Sequence, residues 1–223
     1  MKLYYHPLSP YSQKALVALF EANAPFEPVV TNLFDPAVRA SYKAEVNPLV
    51  KIPFLMRDNG WAVPESSIIL EYIDQYFPTE QSLIPTDRDK ARQARFYDRL
   101  GDLYLIEKGS ILWFESMKPE AARNGELIER TLEQGKTALG LFDKELRNKE
   151  FLLADRFTMA DISPAIGTAG LVNAGVDLAP YPNVAAWYAR IWARPSFQRV
   201  GAEIGAALAA MAAAAKTGEV SEG

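Results

Sequence analysis

There is no cysteine among the 223 residues. Disulfides, thiolate metal sites, iron–sulfur clusters and a protein thiol nucleophile are therefore excluded. Only one histidine is present, His6. A multi-histidine metal centre is thus ruled out, no metal is expected, and His6 itself reads as a polar residue at a strand end. Positive charge is not in excess, with 24 lysines and arginines against 28 acidic residues for a net charge of -4. Nucleic acid is accordingly not expected as a partner. The one basic run, Arg88, Lys90, Arg92 and Arg95, is interleaved with Asp87, Asp89 and Asp98 and reads as a solvated helix face. Long hydrophobic runs are missing too. The Ala-rich stretch Gly205–Ala215 is too short to span a bilayer, and the opening residues lack the pattern of a signal peptide. A cytoplasmic protein without a membrane partner is expected.

What is present is ordinary globular composition, 49% hydrophobic and 23% charged, enough chain for one large domain or two small ones. Residues 1–77 mix strand and helix signals. Lys2–Tyr5 is strand-like, Pro10–Asn23 helical, and Phe26–Val30 a strand whose Pro28 argues for a sheet edge. Pro53–Val63 reads as a hairpin around Asp58-Asn59-Gly60, and Ser66–Tyr76 as a helix with Ile69, Leu70 and Ile73 at helical spacing. The order is β-α-β-β-β-α. Residues 78–87, with two prolines and little periodicity, read as a linker. Residues 88–215 carry only helical signals, predicting helices over 88–116, 120–148, 158–173, 183–193 and from 196. Residues 216–223 are polar and small and are expected to be disordered. This is the outline of an α/β, thioredoxin-like N-terminal domain with a mixed sheet, followed by an all-α helical bundle.

Four local signals stand out, three of which bear on function. Ser9-Pro10 places a good N-cap and a favoured first helical residue at the mouth of the first helix, where free N–H groups and the helix dipole seat an anion. On its own this pair is only a cap. Lys51-Ile52-Pro53 puts a proline where a thioredoxin-like unit has a cis peptide, which would turn the Ile52 backbone towards a peptide-like ligand. Glu65-Ser66 opens the next helix: Ser66 can cap it and bind a carboxylate, while Glu65 offers a counter-charge to an ammonium. Thr158 and Asp161 have capping-box spacing, with Phe157 and Ile162 placed as a hydrophobic staple. That last signal concerns folding.

Taken together, "SPYS" at Ser9–Ser12, "NPLVKIPFL" at Asn47–Leu55, "PESSIILEYID" at Pro64–Asp74, the "TMAD" box and "YPNVAAWYARIWARPSF" at Tyr181–Phe197 resemble the cytosolic glutathione transferase family, in a bacterial, serine-type form. The resemblance spans nearly the whole chain. It implies glutathione as co-substrate, with Glu65 and Ser66 on its γ-glutamyl end, Ile52 beside Pro53 pairing through its backbone with the cysteinyl unit, and Lys51 near the glycyl carboxylate. Ser9 matches the family's serine, whose hydroxyl donates to the glutathione sulfur. The sulfur that the chain lacks then arrives with the ligand. Tyr5 and Ser12 stay open as alternative donors, because other classes keep a tyrosine near the position of Tyr5 and Ser12 lies one helical turn beyond Ser9. Tyr11, Tyr104, Trp113 and Phe114 are candidates for an apolar electrophile pocket, or else core residues.

The implied activity is conjugation of glutathione to an electrophile, as in detoxification, with peroxidase, isomerase or dehalogenase chemistry as possible side activities. Lack of cysteine argues against the reductase branches and the cysteine-bearing bacterial class, although "MKLYY" is similar to that group's opening. A homodimer is the family expectation. The competing readings are a non-catalytic, transcription-associated protein-binding module of the same fold and a ligandin-like carrier.

Overall fold

Alternating apolar and polar residues make Lys2–Tyr5 a strand, β1, with Leu3 and Tyr5 turned into the core. In the computed structural model, which describes residues 1–153 and 156–219, β1 leads to helix α1 (Pro10–Glu21), strand β2 (Glu27–Val30) and helix α2 (Pro36–Glu45). The hairpin β3 (Phe54–Met56) and β4 (Ala62–Pro64) follows, and then helix α3 (Ser66–Tyr76). The four strands form one mixed sheet in the order β2-β1-β3-β4. β2 runs parallel to β1, while β3 is antiparallel to both β1 and β4. Pro28 does lie on an edge strand, where its missing N–H costs no ladder bond.

Helix α2 has no counterpart in the β-α-β-β-β-α order read from the sequence. Its only buried residue is Tyr42, so it has no apolar stripe for periodicity to detect. Its signal is local instead: Asp35 caps it by accepting from the Ala37 and Val38 N–H groups at 2.8 and 3.2 Å, and Pro36 occupies the first helical position.

Two compact units divide the chain, residues 1–77 with 195–223 and residues 78–194. The last helix, α9 (Pro195–Glu219), was expected among the bundle helices but groups with the first unit. Within that unit the Tyr5 hydroxyl donates to Glu203 Oε2 at 3.0 Å, and the Arg199 guanidinium lies 3.7 Å from the centre of the Phe20 ring. Ser196 also donates to a Glu21 carboxylate oxygen. These contacts join α9 to β1 and α1 through side chains that no periodic pattern marks. The helical backbone continues through the first four residues of the expected disordered tail, to Glu219, and residues 220–223 lie outside the described residues.

The second unit contains α4 (Arg88–Gly101), α5 (Glu107–Ser116), α6 (Gly125–Glu145), α7 (Met159–Asn173) and α8 (Pro182–Trp192). A π-helical segment, Asp102–Ile106, joins α4 to α5 without a break. Helix α7 is buried nearly all round, as befits the central element of a helical layer. It approaches α4 and the π segment so closely that a Cβ on Gly167 would sit 2.6 Å from the Ile106 backbone nitrogen. Residues 78–87, read as a linker, are tied to this unit: the Met159 N–H donates to the Leu83 carbonyl at 2.9 Å, and Arg156 donates to the Ser82 carbonyl.

The capping box at Thr158 and Asp161 is formed. The fully buried Asp161 carboxylate accepts from the N–H groups of Thr158 and Leu152 and from Trp187 Nε1, at 3.0, 3.0 and 2.9 Å. One side chain thereby holds the start of α7, the preceding loop and α8 together. Burial outweighs these donors and pushes the Asp161 pKa up to about 6.

We expect Asp161→Ala to destabilise the protein by about 3 kcal/mol or more, because three buried donors lose their acceptor. Denaturant unfolding measures this directly. Because the folded state holds the Asp161 proton more tightly than the unfolded chain, its contribution should fall as pH rises from about 4 to about 6. That slope should be absent in Asp161→Asn.

Candidate functional site

The register of the sheet assembles the site. Tyr4 on β1 stands opposite Phe54 on β3, and Phe54 stands opposite Pro64 on β4. The three strands therefore meet at one end of the sheet, where β1 runs out towards Ser9, the Ile52-Pro53 pair enters β3, and β4 runs out into Glu65 and Ser66. Residues far apart in sequence share this edge because of strand pairing alone.

Ser9 is the N-cap of α1, its Oγ accepting from the Ser12 N–H at 3.3 Å, with Pro10 at the first helical position. Its own O–H has no acceptor among the described residues. The hydroxyl is half-buried and free to donate at the positive end of a 12-residue helix. The two alternatives are placed differently. Ser12 is fully buried and its Oγ accepts from the His6 N–H at 3.4 Å. Tyr5 is buried and its hydroxyl is spent on Glu203; burial first, and that carboxylate second, push its pKa up.

The loop carrying Ser9 is fixed by His6 and Gln13. The Leu8 N–H donates to His6 Nδ1 at 3.2 Å, the Ser9 N–H to the His6 carbonyl at 2.9 Å, and Gln13 Nε2 to the Pro7 carbonyl at 2.8 Å. An accepting Nδ1 carries no proton, so the ring is held as the neutral Nε2–H tautomer. Burial lowers the His6 pKa and favours the same state. The side chain acts as Asn does in an Asx turn, accepting from the N–H two residues on. No spacing rule marks a lone histidine for that task.

The Ile52–Pro53 peptide bond is cis. Ahead of it the Lys51 carbonyl accepts from the Tyr42 hydroxyl at 2.8 Å and from Asn47 Nδ2 at 3.0 Å, which fixes the approach to Ile52. The half-buried Ile52 has no hydrogen bond to its backbone among the described residues, so both its N–H and its C=O remain open to a ligand. The Lys51 side chain is exposed.

Ser66 does not cap α3, contrary to expectation. It is the first helical residue, and the cap position is taken by Glu65 at φ 70° with no side-chain cap bond. Such a φ is strained for a side chain of this size, and strain of this kind collects at functional sites. Val50, on the segment leading to Ile52, is held at φ 53° in the same way. The uncapped end of α3 leaves the exposed Glu65 carboxylate beside the Ser66 hydroxyl, which is 6% exposed and has no partner among the described residues. One helical position on, Ser67 Oγ accepts from the fully buried Lys14 Nζ at 2.9 Å, joining α1 to α3.

Of the candidate apolar residues, Tyr11 is half-buried in the first turn of α1. In the second unit Tyr104 lies on the π segment and is 48% exposed, and Phe114 is 51% exposed with Trp113 edge-on to it at 5.0 Å. Tyr104 and Phe114 are therefore surface residues of their unit and not core. Among the described residues there is no cluster of side chains that could hold a metal ion, and no helix is long and apolar enough to cross a membrane.

Comparison with known proteins agrees with both units. Residues 3–81 match the model of the glutathione S-transferase N-terminal domain, and residues 107–195 that of the C-terminal domain. The chain is 31% identical over 188 residues to a probable glutathione S-transferase of Solanum tuberosum, covering 80% of each protein. Among solved structures it is similar to a glutathione S-transferase of Methylobacillus flagellatus with glutathione bound. That match has a TM-score of 0.80 and 29% identity and covers 89% of this chain and 98% of the other. A glutathione S-transferase of Methylobacterium radiotolerans in complex with glutathione sulfonate matches with a TM-score of 0.77 and 32% identity, covering 89% and 93%.

The role of His6 is open to direct measurement. His6→Ala should speed hydrogen exchange at the Leu8 amide by about five- to tenfold, the worth of one hydrogen bond. His6→Asn should restore it, since Asn Oδ1 reaches the same N–H. Unchanged exchange in the alanine variant would show the imidazole contact to be idle.

Proposed function

The chain belongs to the glutathione S-transferase family, and on that footing we propose that it is a serine-type glutathione transferase in which Ser9 stabilises the glutathione thiolate. The observation that carries this reading is the sheet edge described above. It presents an unspent Ser9 O–H at a helix mouth, an unpaired Ile52 backbone and an uncapped α3, which are the three elements a γ-glutamyl-cysteinyl ligand needs. In this reading Glu65 and Ser66 take the ligand's amino-acid head group: Glu65 faces its ammonium, and Ser66 with the α3 N-terminus faces its carboxylate. Ile52 pairs with the cysteinyl backbone, and Lys51 lies near the glycyl carboxylate.

The energetics suffice without a general base. Lowering a thiol pKa from about 8.5 to about 6.5 requires about 2.7 kcal/mol in favour of the thiolate. A hydrogen bond to a charged group contributes about 1.5–3 kcal/mol, and a helix N-terminus about 0.3–2 kcal/mol. The glutathione proton leaves to solvent and the sulfur lone pair forms a bond to the electrophilic carbon. A leaving group departs from that carbon with its bonding pair, or, in an addition, the displaced electrons take up a proton. For the electrophile we propose the apolar surface of the exposed Tyr104 and Phe114 with Trp113. We further propose that the protein acts as a cytoplasmic homodimer, for which light scattering is the direct check.

Ser9→Ala should raise the pKa of the bound glutathione thiol by about one to two units, followed by thiolate absorbance across pH. Tyr5→Phe should leave that titration unchanged, because the Tyr5 hydroxyl is already engaged. If the Ser9→Ala complex titrates like the wild type, Ser9 is a cap and nothing more. Ser66→Ala should raise KM for glutathione about five- to tenfold with kcat little altered, the signature of binding lost equally from ground and transition states.

A further inference from the structure

We propose that the first unit carries a second small-molecule site, for a flat apolar carboxylate, at the end of the sheet opposite Ser9. Its centre is Arg57, which leaves β3 at the hairpin tip and is half-buried there. The guanidinium carbon lies 5.6 Å from the ring centre of Trp61, 5.4 Å from that of Tyr72 and 5.3 Å from that of Tyr76. Tyr72 and Tyr76 are themselves stacked at 4.6 Å.

Aromatic faces hold a guanidinium in place but accept none of its in-plane N–H groups, of which it has five. The Arg57 backbone N–H donates to the Trp61 carbonyl at 2.9 Å, but among the described residues no carboxylate or carbonyl accepts from its guanidinium. The neighbouring Asp58 is ion-paired with the Met1 ammonium at 2.7 Å, its side chain is 90% exposed, and it attracts Arg57 only through space. The arginine is therefore oriented and charged, with its donor edge unspent.

Arg57 also lines a cavity of about 420 Å³ together with Met1, Pro25, Asp58, Asn59, Tyr72 and Phe77, the Asp58 carboxylate there being matched by the Met1 ammonium. That volume suits a small ligand, and the lining combines apolar walls with a few polar groups, as ligand sites do. The fork of a guanidinium matches the two oxygens of a carboxylate, and the walls suit a flat apolar body. The cavity is separate from the glutathione site: Met1, Asn59 and Phe77 lie beyond the Lys2–Met56 end of the β1–β3 pairing and at the C-terminal end of α3, whereas Ser9 and Ser66 lie at the opposite ends. The inference does not rest on the glutathione reading.

The test is calorimetric titration of naphthalene-2-carboxylate into the full chain, with S-hexylglutathione present to fill the transferase site. We expect saturable binding, at least about tenfold weaker for the neutral naphthalene-2-carboxamide and weaker by a similar factor in Arg57→Gln. Arg57→Lys keeps the charge and the ring contacts but not the fork, and should bind at least about threefold more weakly than wild type. It decides the matter if the glutamine variant does not fold. Equal affinity for acid and amide, wild-type affinity in a folded Arg57→Gln or in Arg57→Lys, or no binding up to about 5 mM would each overturn the proposal.

Discussion

The alignment of Tyr4, Phe54 and Pro64 across β1, β3 and β4 is the constraint on which the site depends. Strand side chains alternate between faces, so a slip of one residue in either pairing would turn Leu3, Leu55 and Val63 out of the core. The same slip would carry Pro53 or Glu65 away from the end of β1. The burial that fixes the register is thus also what places three polar features at one end of the sheet. Nothing in the polar residues themselves brings them together.

Around that frame, the first unit leaves the groups of the candidate site unpaired while pairing those behind them. His6 and Gln13 hold the Ser9 loop, Tyr42 and Asn47 hold the Lys51 carbonyl, and Lys14 reaches across to Ser67. Each of these supports is itself buried or half-buried. The residues they position, Ser9, Ile52 and Ser66, are left with a donor or acceptor to spend. In the second unit Asp161 does comparable work for folding alone, gathering three donors at the start of α7.

Much of this was legible because the signals are local. Ser9-Pro10 and the Thr158–Asp161 box announce helix starts within four residues, and Pro28 announces an edge strand. Ile69, Leu70 and Ile73 mark the buried face of α3. The resemblance to a known family then joined these local signals into one site. What was not legible depends on long-range packing or on conformation. Helix α2 lacks an apolar stripe and escaped notice. Ser66 looked like a cap because serine usually is one, yet the chain turns one residue earlier, at a left-handed Glu65. The tasks of His6 and Lys14 are defined by partners that tertiary structure supplies. The allegiance of α9 rests on Glu203, Arg199 and Ser196, which sit 175 to 198 residues from their partners Tyr5, Phe20 and Glu21.

That allegiance bears on how the polypeptide is made. Residues 1–77 reach their final set of neighbours only after residues 195–219 have been synthesised, whereas the intervening unit is contiguous and can close on itself earlier. During translation the Tyr5 hydroxyl and the Phe20 ring must wait for residues 195–203 to leave the ribosome. The unit that carries Ser9 is therefore completed only after the unit that follows it in sequence.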